Sequence, residues 1–366
     1  MKELFEPATI GKIEIKNRFI RAATWEGMAK EENGEPTEEL FRLYRELVEG
    51  EVGLIITGFA YVDKRGKANP RMLGIDKDEL IPSLKRLTNS VHEINGKIAI
   101  QLAHSGSQGR YDTGEPPLAP SAVKERFTGN MPVEMTIDDI NHVINCFAEA
   151  GLRAKRADFD GVELHAAHGY LLSQFLSPYS NRRKDKYGGP IQNRARIIFE
   201  IYEALRHKVG SDYTILIKIN VSDFDGVGLE PEDSLWVCKE LSNMGIDAIE
   251  LSGGIPAAGD LFPLRTGIDS PEKEAYFRKE AEVFSSKIDK PIILVGGLRS
   301  LEVIEELYKK KVANFFSLSR PLISEPGLIK RWREGDRRPA RCISCNQCLV
   351  AALKEKRLYC VAFKEA

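Results

Sequence analysis

Two imidazoles and a phenol fall within six residues of one another in Gly161-Val-Glu-Leu-His165-Ala-Ala-His168-Gly-Tyr170, directly behind a short apolar run. A strand ending at Leu164 would leave His165, His168 and Tyr170 in the loop at its carboxyl end. There an α/β protein can face a ligand while the strand stays buried. A neutral imidazole donates a hydrogen bond to a carbonyl oxygen, and a phenol beside it can supply a proton. Together the three groups suit reduction of a double bond next to a carbonyl. A hydrogen-bonded polar loop without chemistry is the competing reading of the motif by itself, so the rest of the chain has to decide.

Two further groupings carry chemistry. The seventh apolar run ends Val295-Gly296-Gly297-Leu-Arg-Ser300 and opens a helical pattern, and the eighth ends Leu318-Ser319-Arg320-Pro321. Glycines let backbone amides approach an anion, a helix start adds favourable partial charge, and Arg320 can grip phosphate oxygens in parallel. Loops after strands seven and eight are where barrel enzymes commonly hold phosphate. The second grouping is Cys342, Cys345, Cys348 and Cys360, four of six cysteines crowded into the last 25 residues. Consecutive C-x2 steps let one turn present three thiolates to an iron–sulfur cubane, and a distant fourth closes the site. Tetrahedral zinc could use the same sulfurs, and free thiols are the third reading. Cys146 and Cys238 sit in helical patterns and read as buried apolar residues.

These groups need a scaffold, and the hydrophobic pattern supplies one. Apolar runs recur at Phe19–Ala23, Gly53–Thr57, Ile98–Leu102, Gly161–Leu164, Ile215–Ile219, Ala248–Leu251, Ile292–Val295 and Ala313–Ser317. Amphipathic segments lie between them at Glu38–Gly50, Pro82–Asn95, Ile137–Ala157, Ile191–Lys208, Pro231–Met244, Pro271–Lys287 and Leu301–Lys311. Eight strands alternating with helices predict an α/β protein, a (β/α)8 TIM barrel over residues 1–335. A short cysteine-rich extension over 336–366 follows it. Ala103–Pro132, rich in Gly, Ser and Pro, reads as an excursion over the barrel mouth with a small hairpin, and Gly169–Pro190 as a second polar loop.

Lys+Arg 53 against Asp+Glu 54 gives a formal charge of −1, which argues against a nucleic-acid partner. Hydrophobic content of 42% and charged content of 29% are ordinary for a globular protein. The start of the chain has no apolar signal region, and no window of about 18 uncharged apolar residues predicts a membrane span. The expected location is cytoplasmic, where clustered cysteines bind metal more often than they pair.

The ordered motifs Leu4-Phe-Glu-Pro7, Lys16-Asn-Arg18, Gln101-Leu-Ala-His-Ser-Gly106, Ala119-Pro-Ser121, His165-Ala-Ala-His168-Gly-Tyr170, Phe175-Leu-Ser-Pro178 and Tyr187-Gly-Gly189 carry a resemblance. Over roughly residues 3–335 the chain resembles the old yellow enzyme family of FMN-dependent NAD(P)H oxidoreductases. With its cysteine tail it is similar to the barrel part of the 2,4-dienoyl-CoA reductase, 2-enoate reductase and trimethylamine dehydrogenase subfamily, which carries a [4Fe-4S] cluster. Those relatives continue into an FAD- and NADH-binding region that this sequence, ending at Ala366, does not include; a separate electron-donor protein could take that place.

The resemblance implies roles. Gln101 would bond the flavin pyrimidine edge; Ala23, Thr24 and Gly58 would line the isoalloxazine; Gly296, Gly297, Ser319 and Arg320 would hold the FMN phosphate. Lys218 stands where the family usually has an arginine beside flavin N1 and O2, and otherwise reads as a lysine at a strand end. His165 and His168 would bind the carbonyl of an unsaturated small molecule, Tyr170 would protonate its α carbon, and Trp25 would either pack at the flavin and shape the pocket or be plain core. The activity implied is ene-reduction with NAD(P)H as reductant. Amine-oxidising demethylation and a flavodoxin-like electron carrier with an iron–sulfur relay are the alternatives within reach. A uridine-reducing barrel would need a basic surface that the composition lacks. Relatives are often oligomeric, which is compatible with a homo-oligomer, although no segment reads as an interface.

Overall fold

The computed structural model describes residues 2–109 and 114–363. Eight short strands form its centre: β1 Phe19–Arg21, β2 Leu54–Ile56, β3 Ile98–Ala103, β4 Gly161–Ala166, β5 Thr214–Asn220, β6 Ala248–Ser252, β7 Ile292–Val295 and β8 Phe315–Leu318. All pair in parallel with their sequence neighbours, and Phe316 of β8 lies beside Phe19 of β1, so the ring closes. Closure removes the exposed edges that an open sheet would leave. The architecture is a (β/α)8 barrel.

Around it run α1 Glu38–Glu49, α2 Ile81–His92, α3 Ile137–Arg156, α4 Arg196–Val209, α5 Pro231–Met244, α6 Arg278–Ser285, α7 Leu301–Lys309 and α8 Leu328–Arg333. Their boundaries follow local chemistry. Thr136 Oγ1 accepts the Asp139 N–H while the Asp139 carboxylate accepts the Thr136 N–H, a reciprocal cap at the start of α3. Pro231 opens α5, and Gly245, left-handed at φ 96°, ends it. The pattern over Pro271–Lys287 had predicted one helix, but a 3-10 turn at Pro271–Lys273 is separated from α6 by Ala275 at φ 50°. That break leaves the Glu274 carboxylate free to accept the amides of Arg299 and Ser300, at 2.8 and 2.9 Å.

The barrel interior is layered. A hairpin of Ala8–Ile10 against Ile13–Ile15, not anticipated from the pattern, plugs the amino-terminal end. Its Ile10, Ile13 and Ile15 join Ile20, Leu54, Ile56, Ala99, Leu216, Ala248, Ile293 and Phe315 in one buried cluster. Each such side chain contributes roughly 1.5–3 kcal/mol on leaving water. The strands therefore have a largely hydrocarbon foot, Thr214 excepted, and the buried charged side chains Arg21, Glu163, Lys218 and Glu250 sit from mid-strand to the carboxyl end.

In the excursion, Leu118–Ala119 pairs with Val133–Glu134 in parallel rather than as the expected hairpin. The connection 120–132, about a dozen residues, is long enough to return the chain in the same direction. Among the described residues no helix is long and apolar enough to cross a membrane.

Candidate active site at the carboxyl end of the barrel

β4 runs on to Ala166, two residues past the predicted end, because pairing with β5 continues through His165↔Lys218 and Ala166↔Ile219. His165 is thus a strand residue facing into the barrel mouth, not a loop residue. Behind it the chain turns sharply: His168 and Gly169 are both left-handed, at φ 59° and 75°. Asn220 Oδ1 accepts the His168 N–H at 3.1 Å, and His168 Nε2 lies 2.7 Å from Ser252 Oγ. The turn returns Tyr170 over His165. Ring centroids are 5.0 Å apart for His165 and Tyr170 and 5.2 Å for His165 and His168, both edge-on. Phe59 packs edge-on against Tyr170.

Burial sets the protonation of this trio. It holds His165 well below the ordinary imidazole range, and with Lys218 nearby it pushes His168 down to about 3. Burial also raises the Tyr170 phenol. At neutral pH the site holds two neutral imidazoles and a protonated phenol, and His165 Nδ1 has no partner among the described residues. There is a stability consequence. An unfolded chain binds a proton to histidine near about pH 6.5, which folded His168 does not do until about 3. The unfolded state therefore binds more protons between those values, and stability falls as pH drops through that window. His168→Asn should flatten that acid loss of unfolding free energy, read from urea titrations across the same pH range; an unaltered slope would count against the buried neutral imidazole.

Under the trio lies a buried polar layer. Gln101 Nε2 donates to Glu163 Oε2 at 2.5 Å, and Lys218 Nζ stands 3.2 Å from Glu250 Oε1 and 3.7 Å from Glu163 Oε2. All four side chains are essentially inaccessible. Burial, with Glu250 close by, lifts the Glu163 carboxyl well above the carboxylate range. Burial works to lower Lys218, but Glu163 and Glu250 outweigh it, so the ammonium is held above its ordinary value. Lys218 is the cation of this layer. Lys218→Met should lower unfolding free energy by about 3–5 kcal/mol, the usual penalty for stranding a buried charge. Denaturant titration measures it, and adding Glu250→Gln should recover part of the loss.

A cavity of 380 Å³ opens above this layer, lined among others by Trp25, Phe59, Gln101, His165, Tyr170 and Leu353. A narrower arm continues from it along Ala23, Lys218 and Ser319 to Gly296, Gly297 and Arg320. Ala23, Thr24, Trp25, Gln101, His165, His168, Tyr170, Lys218 and Ser319 therefore share the wide part, and the glycines and Arg320 lie at the far end. Gly58 is set back: its N–H faces Glu26 Oε1 and Tyr44 Oη, both at 3.3 Å, and it lines neither space.

The glycine pair is required for a reason the motif did not reveal. Gly296 and Gly297 are at φ 126° and 71°, and a Cβ on either would come within about 3 Å of the Tyr276 ring. Just ahead of α7 the Arg299 and Ser300 amides are already taken by Glu274, so an anion in the arm would draw on the glycine backbone and Arg320 in place of those two. Arg320 Nη1 donates to Arg265 O at 2.8 Å and Asn346 Oδ1 at 2.7 Å. Ser317 Oγ and Arg299 Nε, both on the arm, have no partner among the described residues. An elongated ligand with a polar ring and an anionic tail fits these unmet donors.

The tail folds against the barrel. Its helix α9 Gln347–Glu355 is held by Arg71, whose Nη2 donates to Ala352 O at 2.8 Å and whose Nε donates to Gly27 O at 2.9 Å. Leu349 and Leu353 of α9 reach the cavity wall opposite Trp25. Cys342, Cys345, Cys348 and Cys360 line one pocket with Arg320. Arg320 thus stands between the cysteines and the narrow arm. Among the described residues no three of these sulfurs lie within 4.8 Å of one another. Zinc bonded to sulfur at about 2.3 Å would need S···S separations of about 3.8 Å. As they stand, the sulfurs are not gathered around a single ion.

A buried, polar-floored cavity at the carboxyl mouth of a (β/α)8 barrel, with an anion-sized arm at strands seven and eight, is the layout of a nucleotide-cofactor enzyme. Residues 3–338 match the NADH:flavin oxidoreductase / NADH oxidase family, and the chain belongs to it. It is 35% identical to a "metal reductase" of Desulforamulus reducens, over 100% of this chain and 54% of that protein. It is 36% identical to an "NADPH dehydrogenase" of Geobacillus sp. (strain WCH70), over 88% of this chain and 91% of that protein. The solved complex of 2-naphthoyl-CoA reductase with 2-naphthoyl-CoA superposes with a TM-score of 0.91 at 25% identity, covering 99% of this chain and 57% of that one. The chain thus spans about half the length of the first and last of these.

Proposed function

We propose that this protein is an FMN-dependent ene-reductase acting on an α,β-unsaturated carbonyl, acid or thioester. The convergence of His165, His168 and Tyr170 on one cavity is the observation that carries this reading. FMN, when bound, would supply hydride to the β carbon of the substrate, with NAD(P)H as the source of electrons. The residues that would hold it are Ala23, Thr24, Gln101, Lys218 and Ser319 in the wide cavity and Gly296, Gly297 and Arg320 in the arm. Lys218 would favour negative charge on the adjoining ring edge.

The chain's own part is to bind and polarise. Neutral His165 and His168 donate to the substrate oxygen, and those bonds strengthen as negative charge gathers there. Tyr170 stays protonated to a high pH and delivers its proton to the α carbon, the most basic position as the double bond is reduced. Trp25, Phe59 and Leu353 supply the cavity's apolar wall. The spacing C-x2-C-x2-C-x11-C supports a [4Fe-4S] cluster on Cys342, Cys345, Cys348 and Cys360 over zinc. The likeness to a naphthoyl-CoA reductase supports including thioesters among the substrates.

Anaerobic turnover of an enone in heavy water with unlabelled NAD(P)H tests the reading. Deuterium should enter at the α carbon and hydrogen at the β carbon. A flavin-loaded protein that leaves the double bond untouched would refute it.

A further inference from the structure

Away from the barrel mouth, Asp63, His142 and Cys146 point one ligand atom each at a common position. His142 and Cys146 are four residues apart on α3 and so share a helix face. Asp63 precedes the 3-10 turn Lys64–Gly66 in the segment that follows β2. Asp63 Oδ2 lies 2.7 Å from His142 Nε2 and 3.8 Å from Cys146 Sγ, and that sulfur lies 3.4 Å from the same His142 nitrogen. Among the described residues this is the only set of three such groups so close. Cys146 is therefore not the inert core residue that its helical pattern suggests.

We propose that this trio is a surface binding site for a borderline divalent cation of the zinc class. Ion–ligand distances of about 2.3 Å to sulfur and about 2.0–2.1 Å to nitrogen and oxygen, in tetrahedral array, put N···O near 3.4 Å and N···S and S···O near 3.6 Å. Two of the three observed separations are within about 0.2 Å of those values, and the third, N···O, is shorter because a hydrogen bond occupies it. A nucleophilic relay does not fit. A base poised between thiol and carboxylate uses both ring nitrogens, whereas here sulfur and carboxylate share Nε2.

On binding, the Cys146 S–H bond breaks and its proton passes to buffer. The His142 proton that bonds Asp63 from Nε2 moves through solvent to Nδ1, so the imidazole is neutral in the complex, and thiolate plus carboxylate balance the dication. Water fills the fourth position, because the His142 side chain is 63% exposed. The ion would tie α3 to the loop after β2. Gly66 in that loop accepts the Ser105 N–H at 3.0 Å, and neighbouring His104 accepts the Leu171 N–H at 2.9 Å, beside Tyr170.

The test uses the cofactor-loaded protein with its tail cysteines occupied. Equilibrium dialysis against zinc should give about one additional ion per chain. Cys146→Ser or His142→Ala should weaken it more than about a hundredfold, since even an outer contact to a ligand is worth up to that much. Zinc should also slow alkylation of Cys146 by iodoacetamide, followed by peptide mass mapping, and His142→Ala should abolish the protection. Retained flavin absorbance shows that the variants are folded. Equal alkylation with and without zinc overturns the proposal, as does zinc uptake that responds only to Cys345→Ser.

Discussion

Replacing His165 and His168 together by alanine should leave flavin bound and cut reoxidation of the reduced protein by an enone by about 10²–10³ for each donor lost. The size follows from where the imidazoles sit. His165 is buried and His168 half-buried, and both are neutral, so each N–H acts in a low-dielectric setting where charge developing on a substrate oxygen has little other stabilisation. The same cavity is lined by the apolar rings of Trp25 and Phe59, which lower the local dielectric beside both imidazoles. Anaerobic stopped-flow measurement of the half-reaction isolates the effect, and reduction of the flavin by NAD(P)H should change little. A double variant that reoxidises at the wild-type rate would remove the imidazoles from the chemistry. Asparagine at position 168, which keeps a donor, should recover part of the rate.

Tyr170→Phe should lower the same half-reaction by about 10²–10⁴, the usual worth of a positioned general acid. The ring itself is retained, so packing against Phe59 and His165 survives and the loss reports the hydroxyl alone. Because burial holds the phenol protonated, wild-type activity should show no deprotonation limb below about pH 10, the phenol's ordinary range. A Phe variant with full activity and unchanged α-deuteration would assign proton delivery elsewhere.

Much of this was legible before any coordinates. All eight apolar runs became strands, since strands covered on both faces must be nearly continuous in hydrocarbon. Misplaced boundaries have local causes. β4 ran on through His165 because its partner strand offered backbone bonds to take, and the Pro271–Lys287 helix broke where Ala275 turned left-handed. Glu163 and Glu250 were missed although a signal existed. Each is a carboxylate in the middle of a buried run, Gly161-Val-Glu-Leu and Ala248-Ile-Glu-Leu, where a charge must find a partner. Arg71, Asn346 and Asp63 offered no comparable sign, being polar residues in loops like many others.

What the order of residues determined by itself was the period of the strands and helices, the cysteine spacing and the presence of two histidines and a tyrosine behind one strand. Those are properties of neighbours along the chain, set by side-chain alternation and backbone propensity. Only the closed barrel decided that Lys218 would neutralise carboxylates from two other strands, that α9 would wall the cavity, and that Cys146 would meet Asp63. Contacts of that kind join segments far apart in sequence, and they arise from how the elements pack rather than from any local pattern.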